Sequence, residues 1–325
     1  MSVLVTGGAG YIGSHATYAL TDRGDDVVVL DNLSTGTRGL VSERAMFVEG
    51  EAGDGALVRA VIDKHRVDAV IHFAGSIVVP ESIEQPLGYY ANNTVASRSL
   101  IEACVDKGVK HFIFSSTATV YDEHARQPLG EDQPKKPISP YARSKLMTEW
   151  MLEDCARAYD FRPIVLRYFN VAGADPRGRT GQSSPRATHL IKRAAQAALG
   201  RIPHLDIMGT DYPTPDGTGV RDYIHVADLA DAHLLALDAL RAGAAPAAYN
   251  CGYGHGASVR EVIATVEQVI GRKLPVREGP RRPGDPPALI SDPTKLKTAL
   301  GWKPRHDDLT EIVRSALEWE RRFNE

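Results

Sequence analysis

The chain has 325 residues, 43% hydrophobic and 24% charged, which is enough apolar material for a sizeable core and enough length for two domains or one large one. Its net charge of −3 offers no electrostatic case for nucleic acid or an anionic membrane as partner. Three cysteines with no C-x-x-C pair and eleven histidines with no H-E-x-x-H spacing argue against a disulfide framework or a metal site and point to a reducing compartment.

The chain opens directly into strand-like SVLVTGG, with no basic segment followed by an apolar signal core, and its apolar runs are far shorter than a membrane span. Cytoplasmic residence is therefore expected. Apolar runs at 2–7, 26–31, 45–50, 68–75, 111–116 and 163–169, rich in Val, Ile and Phe, read as strands covered on both faces. Helical stretches such as 92–107 lie between them. This alternation predicts an α/β fold, a doubly wound parallel sheet of Rossmann type.

Beyond residue 170 the pattern changes. Gly and Pro cluster at 173–185, 209–219 and 279–287 and predict long loops. Leu229, Leu234, Leu237 and Leu240 carry helical spacing through 226–240. Ser258 and Glu261 form a capping box ahead of a helix that Gly271 ends, and Asp308 precedes a last one. The expected division is a dinucleotide domain at 1–170 and a smaller α/β substrate domain at 171–325, with 220–241 packing back on the first.

TGGAGYIGSH follows the first strand at once. Gly8, Gly10 and Gly13 satisfy G-x-G-x-x-G, and Gly7, Gly10 and Gly13 the looser G-x-x-G-x-x-G. Either pattern alone is weak, but here a strand precedes it, a helix follows, and Asp31 closes the next strand. Glycines let backbone approach a pyrophosphate, and the helix N-terminus supplies free N–H groups. Asp31 accepts from ribose hydroxyls and repels a 2′-phosphate, which favours NAD over NADP. HFIFSSTATVY then places Ser115, Ser116 and Thr117 at the end of the fifth strand. SPYARSK sets Tyr141 and Lys145 one helical turn apart. Such a pair also occurs on any solvated helix face; the dinucleotide site upstream turns it toward chemistry. A phenol whose pKa is lowered by a nearby ammonium and a positive nicotinamide can act as a base toward an alcohol.

Together TGGAGYIGSH, HFAG, NNT, FSSTATVY, SPYARSK, LRYFN, DYPTPDGTGVRDYIHV and RRPGD resemble the UDP-glucose 4-epimerase family of extended short-chain dehydrogenases/reductases, from residue 2 to beyond Gly301 and Trp302. DGTGVRDYIHV is the most specific of these motifs. The resemblance implies a redox-neutral 4-epimerisation of UDP-glucose and UDP-galactose. In that chemistry hydride passes from sugar C4 to NAD and returns to the opposite face of a 4-keto sugar. Tyr141 takes the 4-hydroxyl proton, Thr117 lies beside that oxygen, and Lys145 holds the nicotinamide ribose. The resemblance also implies cofactor contacts from Gly7, Gly10, Tyr11, Ile12, Gly13, Asp31, Asn32, Glu51, Ala52, Phe73, Ala74, Asn92 and Tyr168. It implies substrate contacts from Asn170, Leu190, Met208, Arg221, Arg282 and Asp285, with the arginines on the diphosphate and Asp285 on the uridine ribose. It implies a homodimer through helices near 92–107 and 143–158, with Met147, Trp150, Met151 and Cys155 as seam candidates that equally suit the sheet face.

Several positions depart from the family pattern. Glu51 stands where many members have Asp, Ile77 where some have Lys, Asp122 where Gly is usual, and His189 where some carry an amide. Leu289 occupies the position that gates pocket width, with a side chain of intermediate size. A 4,6-dehydratase on the same fold needs an Asp-Glu pair directly after the threonine, and Ala118 and Thr119 stand there instead. Epimerases for UDP-N-acetylhexosamines, UDP-pentoses or UDP-uronates need no different base. A catalytically silent NAD-binding regulator typically lacks the tyrosine or the lysine.

Overall fold

A computed structural model describes residues 1–184, 187–282 and 285–323; Pro283 and Gly284 of RRPGD lie outside the described residues. Six strands follow the apolar runs: β1 (Ser2–Thr6), β2 (Asp26–Asp31), β3 (Met46–Glu49), β4 (Val67–His72), β5 (His111–Thr117) and β6 (Arg162–Tyr168). A seventh, Ala247–Cys251, completes a sheet with the order Ala247–Cys251, β6, β5, β4, β1, β2, β3. Every pairing in it is parallel. The chain runs outward through β2 and β3, then returns to the other side of β1 as β4. That reversal opens a crevice at the carboxyl ends of β1 and β4, where doubly wound sheets bind ligands.

Alternation along the strands sends side chains into two cores. Val3, Val5, Val29, Ile71, Ile113 and Leu166 pack with Leu20, Leu229 and Leu237 on one face. Leu4, Val28, Val70, Phe112 and Val165 pack with Val58, Leu100, Cys104 and Leu152 on the other. A division at residue 170 assigns the Val226–Arg241 helix and the Ala247–Cys251 strand to the second part of the chain. In space the helix lies against the Tyr11–Arg23 helix, β5 and β6, and the strand extends the central sheet.

Beyond the strand ends lie smaller pieces. Asn170–Ala172 pairs with Tyr223–His225, Leu205–Met208 with Val276–Gly279, and Val220–Arg221 with both Ala257–Ser258 and Ala288–Leu289. Two buried carboxylates brace them. Asp222 accepts from the N–H groups of Tyr253, Gly254 and Ser291. Asp228 accepts from the Tyr253 hydroxyl and from the N–H groups of Arg305 and His306. Much of DGTGVRDYIHVADL is thus spent on the fold. The expected capping box of Ser258 and Glu261 is present, and Asp308 accepts from the N–H groups of Thr310 and Glu311 at the start of Leu309–Phe323.

Candidate active site

The glycine turn between β1 and the Tyr11–Arg23 helix leaves no room for side chains. Gly7 has φ +72°, and a Cβ there would lie 2.6 Å from the Ala74 nitrogen; one on Gly13 would lie 2.2 Å from the Gly7 carbonyl. The helix starts with no side-chain cap, so its first N–H groups point into the crevice, an arrangement that attracts anions. Asp31, buried at the end of β2, accepts from Ala9 N–H at 2.9 Å and Leu33 N–H at 2.8 Å. Each carboxylate oxygen keeps a further lone pair for a ribose hydroxyl. Asn32 donates to Glu51 at 3.0 Å, so the extra methylene of Glu51 is used to reach a protein partner.

At the other end of the sheet, SPYARSK resolves into local chemistry. Ser139 caps the Pro140–Ala158 helix by accepting from Ala142 N–H at 3.2 Å, and Pro140 takes the first turn, where no N–H is needed. Tyr141 and Lys145 then face the end of β5. Burial pushes the Tyr141 pKa up to about 12, with the Thr117 hydroxyl opposing the rise. Lys145 is 3% exposed; burial lowers its pKa to about 8, and its ammonium donates to the Ser115 carbonyl at 3.0 Å. Burial is the larger influence on the phenol, and the Lys145 ammonium is directed to the backbone of β5. A nearby positive charge remains the means of drawing out the phenolate.

Both ends open into one continuous cleft of about 1470 Å³, larger than the roughly 300–1,000 Å³ of an ordinary small-molecule pocket and roomy enough for a dinucleotide and a second ligand together. Gly7, Gly10, Tyr11, Ile12, Gly13, Asp31, Asn32, Glu51, Ala52, Phe73, Ala74 and Asn92 line it. Thr117, Tyr141, Lys145, Tyr168 and Asn170 line it as well, as do Leu190, Met208, Arg221, Arg282 and Asp285. Arg221 and Asp285 are not separate grips: Nη2 of Arg221 donates to Asp285 at 2.7 Å, while Nη1 holds the Val220 carbonyl at 2.8 Å. Arg282 is exposed. Ile77, Asp122, His189 and Leu289 also line the cleft. Asp122 accepts from His124 N–H at 3.0 Å. Leu289 stands in register with Arg221.

The residues fit a dinucleotide. A Cβ-free turn faces a helix N-terminus, a carboxylate closes the second strand, and a buried ammonium has one of its three donors placed on a protein carbonyl.

Sequence reasoning missed Asn93. This side chain, 2% exposed, accepts from Ser76 N–H at 2.7 Å and donates to the Ser76 carbonyl at 3.0 Å and to Ser144 Oγ at 2.9 Å. It ties the loop after β4 to the helix carrying Tyr141 and Lys145. The NNT motif held the signal, but its first asparagine drew the reading. Tyr212 and Tyr223, inside DYPTPDGTGVRDYIHV, also line the cleft.

Residues 3–252 match the model of the NAD dependent epimerase/dehydratase family. The chain is 58% identical over 319 residues to a UDP-glucose 4-epimerase of Azospirillum brasilense, covering 98% of this chain and 92% of that one. It superposes with a TM-score of 0.95 and 46% identity on the crystal structure of UDP-glucose 4-epimerase from Brucella ovis in complex with NAD, covering 98% and 97% of the two chains. The enzyme from Stenotrophomonas maltophila, solved with bound NAD and formylated UDP-arabinopyranose, gives 0.96 and 40%, covering 100% and 99%.

Proposed function

The chain belongs to the NAD dependent epimerase/dehydratase family, and from that premise we propose that it interconverts UDP-glucose and UDP-galactose through a transient 4-keto sugar. The observation that carries this reading is the position of Tyr141, Thr117 and Lys145. They line one cleft together with a dinucleotide cradle and with arginines suited to a diphosphate. NAD, when bound, supplies the reversible oxidant for sugar C4.

The chain's own groups do the rest. Tyr141 receives the 4-hydroxyl proton and later returns it, and Thr117 holds the phenol in place. Lys145 stands by as the fixed positive charge and as a donor to ribose hydroxyls. Arg221, steadied by Asp285, grips the diphosphate with its remaining donors, and Arg282 adds a second guanidinium. Asp285 also faces the uridine ribose. Asn170 contacts the hexose, while Leu190 and Met208 flank the nucleotide. A nucleotide held this firmly leaves the keto sugar free to turn over about its diphosphate link. Ala118 and Thr119 after Thr117 bring no acid–base pair for dehydration, which supports epimerisation over a dehydratase.

Residues 1–170 are taken as the NAD-binding part and 171–325 as the UDP-sugar part, with 220–241 returning to the first. Cytoplasmic residence is supported by three free cysteines; among the described residues no helix is long and apolar enough to cross a membrane. A homodimer is supported by the exposed side chains of Ile83, Leu87, Val95 and Trp150.

Tyr141→Phe tests the central assignment. With UDP-galactose as substrate, turnover is expected to fall by roughly 10²–10⁴-fold, while the dinucleotide still copurifies. Turnover equal to the parent's would remove Tyr141 as the base.

A further inference from the structure

Behind the cleft, a chain of contacts runs from the end of β6 into the helix beyond the sheet. The Tyr168 hydroxyl, at the end of β6, is in short contact with His233 Nε2. His233 Nδ1 lies 2.8 Å from the Leu229 carbonyl. Tyr168 lines the cleft and His233 does not; His233 is completely buried, with Phe73 packed on its ring at 4.8 Å.

The last link fixes the direction of the first. A carbonyl oxygen only accepts, so Nδ1 must carry the proton. Burial lowers the His233 pKa to about 4, so the ring is neutral and Nε2 is a bare acceptor. The Tyr168 hydroxyl must therefore donate to His233. Its oxygen can then only accept from any further partner.

We propose that His233 is a positioning residue. By anchoring its Nδ1–H on the Leu229 carbonyl, it orients the Tyr168 hydroxyl so that this group offers lone pairs only to the cleft. Such a group selects an N–H donor and turns away a second acceptor. Resting on the NAD reading, the matching group is the amide nitrogen of the nicotinamide, which Tyr168 would hold in one of its two orientations. Without His233 the Tyr168 hydroxyl is free to rotate and loses its preference.

The wiring is read first in the NAD-loaded protein labelled with 15N-histidine, from ring-nitrogen spectra assigned by the resonance that His233→Gln removes. A neutral His233 with its proton on Nδ1 from pH 6 to 9 is expected; a proton on Nε2, or on both nitrogens, overturns the proposal. This outcome does not depend on whether any sugar is epimerised. The consequence is read as the rate of NAD release from His233→Leu, Tyr168→Phe and the double variant. Each single change is expected to speed release about tenfold, and the double no more than Tyr168→Phe alone. Multiplying effects, as two independent packing losses would give, contradict the proposal, and so does unchanged release from His233→Leu. If any variant fails to fold, the tautomer in the unmodified protein still decides the matter.

Discussion

At the scale of single residues, motif and role separate more than the sequence suggests. The reacting groups were legible because their chemistry demands particular residues: a phenol and an ammonium one turn apart, glycines where a Cβ would strike backbone, a carboxylate closing the second strand. The groups that hold them in place were not. Asn93 and Asn92 are the same residue type in adjacent positions, yet Asn93 is buried with three hydrogen bonds and Asn92 makes one exposed bond to Ser76. Nothing local to the sequence tells them apart. Asn93→Ala removes three hydrogen bonds and leaves the Ser76 N–H and carbonyl without that partner, so a loss of about 1–3 kcal/mol is expected, together with weaker NAD retention. Equilibrium unfolding in urea measures the first. A variant as stable as the parent, with NAD equally well retained, would show that Asn93 does not staple the site.

At the scale of elements, six strands follow their apolar runs closely, whereas the seventh was overlooked. Ala247–Cys251, AAYNC, interrupts its apolar pattern with Asn250 and so does not read as a buried parallel strand. The structure supplies the reason Asn250 is tolerated there. Its side chain accepts from the Tyr121 hydroxyl at 2.7 Å and donates to the Leu129 carbonyl at 2.7 Å, and its N–H reaches Glu131 at 2.8 Å. Those partners lie more than a hundred residues away, out of reach of any periodicity argument. The helix expected over 92–107 begins with a wide π turn, Tyr90–Val95, before Ala96–Asp106. Two successive asparagines reach Ser76 from that turn. On the Pro140–Ala158 helix, Met151 and Cys155 pack toward the sheet while Trp150 is 53% exposed. Only part of the suggested seam is thus available for a partner. Val95, at 59%, and Leu87, at 81%, are further exposed apolar side chains open to a partner. Sedimentation is expected to give twice the 35.3 kDa chain mass, and the Leu87→Glu, Trp150→Glu pair to give monomer. A monomeric parent at micromolar concentration would contradict the dimer.

At the scale of the whole molecule, buried neutral histidines make stability depend on pH. Burial lowers His15 and His233 to about 4 and His72 and His225 to about 3, against about 6.5 in an unfolded chain. Between those values the unfolded chain binds protons that the folded one does not, so stability is full above about pH 6.5 and falls as pH drops toward 4. Each group contributes up to roughly 1.4 kcal/mol per pH unit in that window. Thermal melts are expected to give a constant Tm near pH 7–8 and a steep fall below 6.5; a Tm unchanged down to pH 5 would contradict the buried, neutral assignment. The same closed architecture underlies the central claim, that a cofactor retained in one cleft oxidises and then restores a single carbon. That claim is tested most directly by incubating the NAD-loaded protein with UDP-galactose deuterated at C4, without added reductant. The account predicts UDP-glucose that keeps its deuterium at C4, with no free NADH formed. Product with hydrogen at C4, or NADH accumulating in step with a ketone, would contradict it.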